Sequence, residues 1–206
     1  MSYWLLVDEP VGALLGLAIV WCLIRQDVRA WPLGIAYVAV SVSVLLEARL
    51  YANLALHLLA FLPMNVYGWY YWVSARPAGH AELPVTRASL ALLAAMVAIC
   101  AAGTASLGAL FAMTTDAALP YWDNAVLVGS VAAMWLTARK KIESWIFWLG
   151  IDVVSVGVYW AQGLPLYAAL YFIYLGMAVA GWRAWRRSME AASSRANSAA
   201  GSAALK

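Results

Sequence analysis

The stretch Trp145-Ile-Phe-Trp-Leu-Gly-Ile-Asp-Val-Val-Ser-Val-Gly-Val-Tyr159 has a counterpart 114 residues earlier, Trp31-Pro-Leu-Gly-Ile-Ala-Tyr-Val-Ala-Val-Ser-Val-Ser-Val-Leu45. Trp31, Ser41, Val42 and Val44 recur as Trp145, Ser155, Val156 and Val158. The same offset carries Glu9, Ala18, Trp21, Arg25, Leu50, Ala55 and Leu56 onto Asp123, Ala132, Trp135, Arg139, Leu164, Ala169 and Leu170. After a one-residue slip, Gly68, Trp69 and Trp72 meet Gly181, Trp182 and Trp185. Chance accounts for matches among abundant Ala, Val and Leu, but poorly for paired Trp and Arg. A long internal period marks a duplicated architecture, and in a membrane protein a central site between the halves.

The solvent around these helices is lipid. The chain is 66% hydrophobic and 11% charged, with a mean hydropathy of +0.78, where a soluble domain is nearer half apolar and a quarter charged. Apolar runs predict seven transmembrane helices over 10–24, 31–48, 52–74, 88–113, 122–137, 144–161 and 165–184. Two three-helix units, 9–75 and 122–187, flank a linker helix at 88–113. Three helices reverse the chain, and one extra helix restores its direction, so the expected fold is an all-α integral membrane protein of 3+1+3 parallel repeats. The Ala/Ser-rich tail 189–206 is expected to be disordered.

Basic residues flanking spans stay on the cytoplasmic side. With the N-terminus outside, all 13 Lys and Arg fall inside except Arg49, while Asp8, Glu9, Glu47, Asp116 and Asp123 fall outside. The expected topology is therefore N-terminus out and C-terminus in, across a bacterial plasma membrane. The net charge of +3 reflects that topology and gives nucleic-acid binding no support. Asp8 and Glu9 stand where a signal peptide would carry basic residues, so none is expected. Cys22 and Cys100 lie in separate apolar spans, which predicts neither a disulfide framework nor a metal pair. A phosphate loop, a metal cluster and a catalytic triad are all missing from the sequence, and the loops are too short for an ATPase domain. The expectation is a transporter with no catalytic residues, no metal and no cofactor.

On a helix, Trp145, Trp148, Asp152, Ser155 and Tyr159 follow one another at +3, +4, +3 and +4, so they share a face. Asp152 is seven residues into an apolar span, close to the midplane. A carboxylate there costs several kcal/mol unless paired or hydrated, and usually faces a cavity or partner; glue between helices is its structural alternative. No Lys or Arg lies mid-span to neutralise it, which leaves a cationic ligand or a proton. Indole faces beside a carboxylate suit a flat organic cation. Trp145 follows Lys140, Lys141 and Glu143, and fits an interfacial belt equally well.

Elsewhere, Asn53 and His57 lie one turn apart, and Asn65 follows Pro63, which frees a backbone carbonyl and predicts a kink or break. A single His on an apolar helix is more often a hydrogen-bonded core residue, and His80 is in a loop. Gly68 permits close helix approach. Trp122, Asp123 and Asn124 open the fifth span, where Asp123 suits a helix cap and Asn124 a cap or an outer vestibule. The candidate substrate-binding residues are Trp145, Trp148, Asp152, Tyr159, Asn65, His57, Asn124 and Trp122.

Asn65-Val-Tyr-Gly-Trp-Tyr-Tyr-Trp72, Pro120-Tyr-Trp-Asp-Asn124, the run Thr137-Ala-Arg-Lys-Lys-Ile-Glu-Ser-Trp-Ile-Phe-Trp148, then Asp152-Val-Val-Ser155 and Gly181-Trp182 together resemble the PnuC family of vitamin transporters. The likeness covers nearly the whole chain up to the tail. It implies a SWEET-like fold of seven helices, a homotrimer, and facilitated diffusion of nicotinamide riboside, trapped by phosphorylation in the cytosol. Family relatives carry thiamine or riboflavin instead. The chain departs from the nicotinamide riboside members at Asp152, near His57 and near Tyr37. The resemblance thus implies a uniporter for nicotinamide riboside, with thiamine or riboflavin as alternatives. A proton-coupled sugar transporter is the expectation from another class.

Overall fold

The computed structural model describes residues 3–47, 51–77, 82–115 and 118–203. Arg49, His80 and Asp116 lie outside the described residues, as do the side chains of Asp8, Glu9 and Asn53. The chain is all helical: α1 (Tyr3–Ile24), α2 (Ala30–Glu47), α3 (Tyr51–Leu56), a π-helical turn at His57–Phe61, α4 (Leu62–Ser74), α5 (Leu90–Thr114), α6 (Pro120–Ala138), α7 (Ser144–Ala161) and α8 (Pro165–Ala203). The residues flanking the π turn keep right-handed helical angles, so α3, the turn and α4 form one rod and the rods number seven.

The π turn has a local cause. Pro63 has no N–H to offer the carbonyl four residues back, and its ring crowds that carbonyl. The helix widens instead, and the Leu62 N–H bonds to the His57 carbonyl. Among the described residues, four helices are long and apolar enough to cross a membrane: Ala30–Glu47, Leu90–Thr114, Ser144–Ala161 and Pro165–Arg195. The expected first span is a shorter apolar helix, Val11–Ile24, and the third is interrupted by the π turn.

Neighbouring rods form a ring. α1 packs on α2, α2 on α4, α4 on α6, α6 on α7, α7 on α8, and α8 back on α1. α5 lies outside this ring against α6, and of its described residues only Gly108 is buried. Contacts recur at the sequence offset. Trp31 meets Trp72 edge-on at 5.4 Å, and Trp145 meets Trp185 edge-on at 5.5 Å. The ring of Trp31 lies against Gly68 and that of Trp145 against Gly181, where a Cβ would collide with each indole. The Trp72 indole N–H donates to the Thr137 carbonyl at 3.2 Å, and that of Trp185 to the Leu23 carbonyl at 2.8 Å. Both turns after these carbonyls pass through a left-handed residue, Gln26 at φ 59° and Lys140 at φ 50°. Those two side chains bond each other, Lys140 Nζ donating to Gln26 Oε1 at 3.0 Å.

The four indoles form the core at the end of the ring that carries Arg25, Arg76 and Lys140. A segment before α5 seals it: Thr86 bridges the α6–α7 turn through Lys140 O and the Ile142 N–H, and Glu143 accepts from the Ala88 N–H at 2.8 Å.

Helix α8 continues through the described part of the tail to Ala203. Alanine is the best helix former, and the Arg186–Glu190 pair at 2.8 Å has the spacing that supports a helix. The first helix begins at Tyr3, with Pro10 inside it, and its apolar part is Val11–Ile24.

Candidate functional site

Helix α7 supplies the centre of the site. It packs between α6 and α8, and the face with Asp152, Ser155 and Val158 is buried, while Ile146, Val153 and Trp160 are exposed. Asp152 is 5% exposed, so the carboxyl is turned away from the lipid-facing surface. Among the described residues no basic side chain lies within ion-pair distance of it; the ion pairs there are Arg29–Asp27 and Arg186–Glu190. Trp148, one turn earlier and half-buried, is oriented by its N–H, which donates to Thr137 Oγ1 at 3.1 Å. Ser155, one turn later, is fully buried, and its hydroxyl has no hydrogen-bond partner among the described residues. A buried hydroxyl without a partner costs about 1–3 kcal/mol, which a ligand or water can offset.

Beyond Ser155 lies a group of phenols that the sequence reading missed apart from Tyr159. Tyr159 stacks on Tyr167 at 5.4 Å and on Tyr171 at 5.2 Å, and Tyr171 meets Tyr174 edge-on at 5.7 Å. Tyr174 is within electrostatic reach of Tyr37 and Asp152. Its hydroxyl occupies the space over Gly16, which any side chain there would fill. The signal was present: Tyr167, Tyr171 and Tyr174 are spaced +4 and +3 and so share a face of α8.

His57 stands in the π turn between Phe61 at 5.2 Å and Tyr37 at 6.2 Å. Asn65 is 6% exposed; its amide donates to the Phe61 carbonyl at 2.8 Å, and its oxygen lies over Gly34. Asn124 is equally buried but turns back to the Pro120 carbonyl at 2.7 Å.

Two candidates sit elsewhere. Trp122 is 55% exposed on the outside of α6, away from the buried group. Trp145 is 2% exposed and packed against Trp185 and Gly181. It therefore belongs to the indole core, neither to an interfacial belt nor to an open pocket.

Two cavities are present away from Asp152. A groove of about 670 Å³ between α5, α6 and α7 is lined by Val97, Cys100, Tyr121, Phe147, Ile151 and other apolar groups. A polar cavity of about 320 Å³ lies at the basic end. Neither is lined by Asp152. The larger groove is apolar, open and on the outside of the ring, whereas the Asp152 face is polar and buried.

The family model described as nicotinamide mononucleotide transporter matches residues 7–187. The chain belongs to this family. It is an all-helical membrane transporter, and not an enzyme. It is similar to the nicotinamide riboside transporter PnuC of Escherichia coli (strain K12), at 28% identity over 91% of this chain and 88% of that protein. It is also similar to the riboflavin/roseoflavin transporter RibM of Streptomyces davaonensis, at 29% identity over 86% and 84%. A crystal structure of the vitamin B3 transporter PnuC shares the fold with a TM-score of 0.69, at 21% identity over 87% of this chain and 80% of that one.

Proposed function

We propose that the chain is a uniporter taking up nicotinamide riboside through the interior of the six-rod ring. The observation that carries this is Asp152: a carboxyl buried inside a membrane protein, with Trp148 and Ser155 one turn to either side and Tyr174 within reach. A pyridinium ring is a flat cation. It gains from stacking on indole and phenol faces and from a nearby carboxylate, while Ser155 and Tyr159 suit ribose hydroxyls. Asn65 and His57 would border the pocket, with Asn124 further out. The mononucleotide is disfavoured, because a phosphate would put negative charge near Asp152.

Two three-helix units, 9–75 and 122–187, rocking about this pocket would give alternating access. The recurrence of Trp31–Trp72 as Trp145–Trp185, and of the two indole-to-carbonyl bonds, supports that duplication. Gathering of Arg25, Arg76 and Lys140 at one end supports an orientation with that end, and the C-terminus, in the cytoplasm. The family resemblance further suggests a homotrimer in a bacterial plasma membrane.

Riboflavin is the second possibility, favoured by the similarity to RibM. It is a neutral ring at neutral pH and gains little from Asp152. Calorimetric titration of the purified protein with nicotinamide riboside, thiamine and riboflavin, paired with uptake in cells lacking their own carriers, separates the cases. Saturable nicotinamide riboside binding and uptake, indifferent to a pH gradient, is expected. Riboflavin or thiamine uptake without it would reverse the assignment, and uptake driven by a proton gradient would end the uniporter.

A further inference from the structure

Away from the Asp152 face, one buried charge has no role in the transport scheme. Lys140 is 1% exposed, an unusual burial for a lysine. Its ammonium rests 4.5 Å above the Trp72 ring and donates to Gln26 Oε1 at 3.0 Å and to the Leu83 carbonyl at 2.7 Å. An ammonium has three donors, and among the described residues no carboxylate comes within ion-pair distance of it. A buried charge normally has a counter-charge, since the desolvation cost of an unpaired ion is several kcal/mol.

Lys140 lines the polar cavity of about 320 Å³, together with Arg25, Arg76, Gln26, Asp27 and Glu82. Asp27 is already engaged, accepting from Arg29 through both carboxylate oxygens. Glu82 is exposed at the rim. Lys140 and Arg25 alone thus outnumber the one lining carboxylate not engaged by an arginine, Glu82, around a half-open space large enough for a phosphate group with a small organic substituent.

We propose that this cavity is an anion site that takes the phosphate group of a small molecule or of a lipid headgroup, on Lys140 with Arg25 and Arg76. Phosphate matches this set because it accepts several charge-assisted hydrogen bonds at once from ammonium and guanidinium donors. Burial holds Lys140 down at about 8, and a bound anion offsets that desolvation. The walls come from the end of α1, the end of α4, the segment before α5 and the α6–α7 turn. An occupant would bridge the ends of α1, α4 and α6, beside the bonds that Trp72 and Trp185 already make there, and so stabilise the folded chain.

The test is thermal unfolding of the purified full chain in detergent with inorganic phosphate or ribose 5-phosphate, against chloride at matched ionic strength. A parallel arm uses nanodiscs of phosphatidylglycerol or phosphatidylcholine. A saturable rise in Tm with the soluble phosphates is expected. A rise confined to phosphatidylglycerol would assign the same chemistry to a lipid. Arg25→Gln with Arg76→Gln should weaken phosphate about tenfold or more while vitamin binding is retained. Lys140→Met should abolish the rise; if that variant does not fold, the arginine pair carries the test. No phosphate-specific rise in either arm, or an undiminished rise in the double arginine variant, would overturn the site.

Discussion

A buried charge is expensive, and this chain buries Asp152 among aromatic rings within the ring and Lys140 over Trp72 at its basic end. For Asp152 the expected partner is a cationic ligand. Asp152→Asn keeps the volume and loses the charge, so binding of nicotinamide riboside should weaken by about 1–3 kcal/mol, read by calorimetry, with riboflavin binding little changed. Equal affinity for nicotinamide riboside in both proteins would remove Asp152 from the site. Lys140 gives a pH signature. Its ammonium is held at about 8, below the ordinary 10.5, by burial, with Glu82 opposing and Arg76 adding to the effect. Between those values the unfolded chain binds more protons than the folded one, so stability should rise as pH increases from about 8 towards 10.5. Below about 8 the penalty is fully present. Unfolding midpoints across that window should climb in the native protein and climb less in Lys140→Met; identical slopes would show that burial does not govern this lysine. Asp152 was legible in the sequence because an acid in an apolar run stands out by itself. The burial of Lys140 was not, because a lysine in a basic loop has the same composition whether it faces water or an indole.

At the scale of the element, the π turn at His57–Phe61 is the feature with most consequence. Pro63 forces it, and it sets His57 beside Tyr37 and gives Asn65 the Phe61 carbonyl as a partner. Pro63→Ala restores an N–H and allows ordinary helical bonding. The expected outcome is unchanged or higher thermal stability together with lower vitamin uptake, because His57 would turn relative to α2. Uptake equal to that of the native protein would make the π turn a packing accident. The sequence signalled a break at Pro63 but could not say whether it would be a kink, a gap or a widened turn, since that depends on what the freed carbonyl meets. An Ala-rich segment such as the one after residue 189 can extend a helix already nucleated by the packed part of α8.

Across the whole molecule, two indole-to-carbonyl bonds join neighbouring rods at the basic end of the ring, Trp72 of α4 to Thr137 of α6 and Trp185 of α8 to Leu23 of α1. Each carbonyl also accepts from the turn that follows it, at Lys140 N and Gln26 N. Replacing either indole by Phe therefore removes one bond without stranding an acceptor, and Trp72→Phe and Trp185→Phe should each cost about 1 kcal/mol beyond the loss of ring area. Unfolding in mild detergent checks this; a large cost at one position and none at the other would speak against equivalent roles. The sequence by itself determined the helical rods, their repeat and the asymmetry of charge, because hydropathy, helical period and internal identity are properties of neighbouring residues or of simple offsets. Only the tertiary structure decided that Trp145 is core and Trp122 surface, that Tyr174 comes within electrostatic reach of Tyr37 and Asp152, and that Lys140 closes onto Gln26. Those facts depend on which helix ends meet across the ring, and a contact between groups far apart in the chain leaves no mark on the local pattern of either.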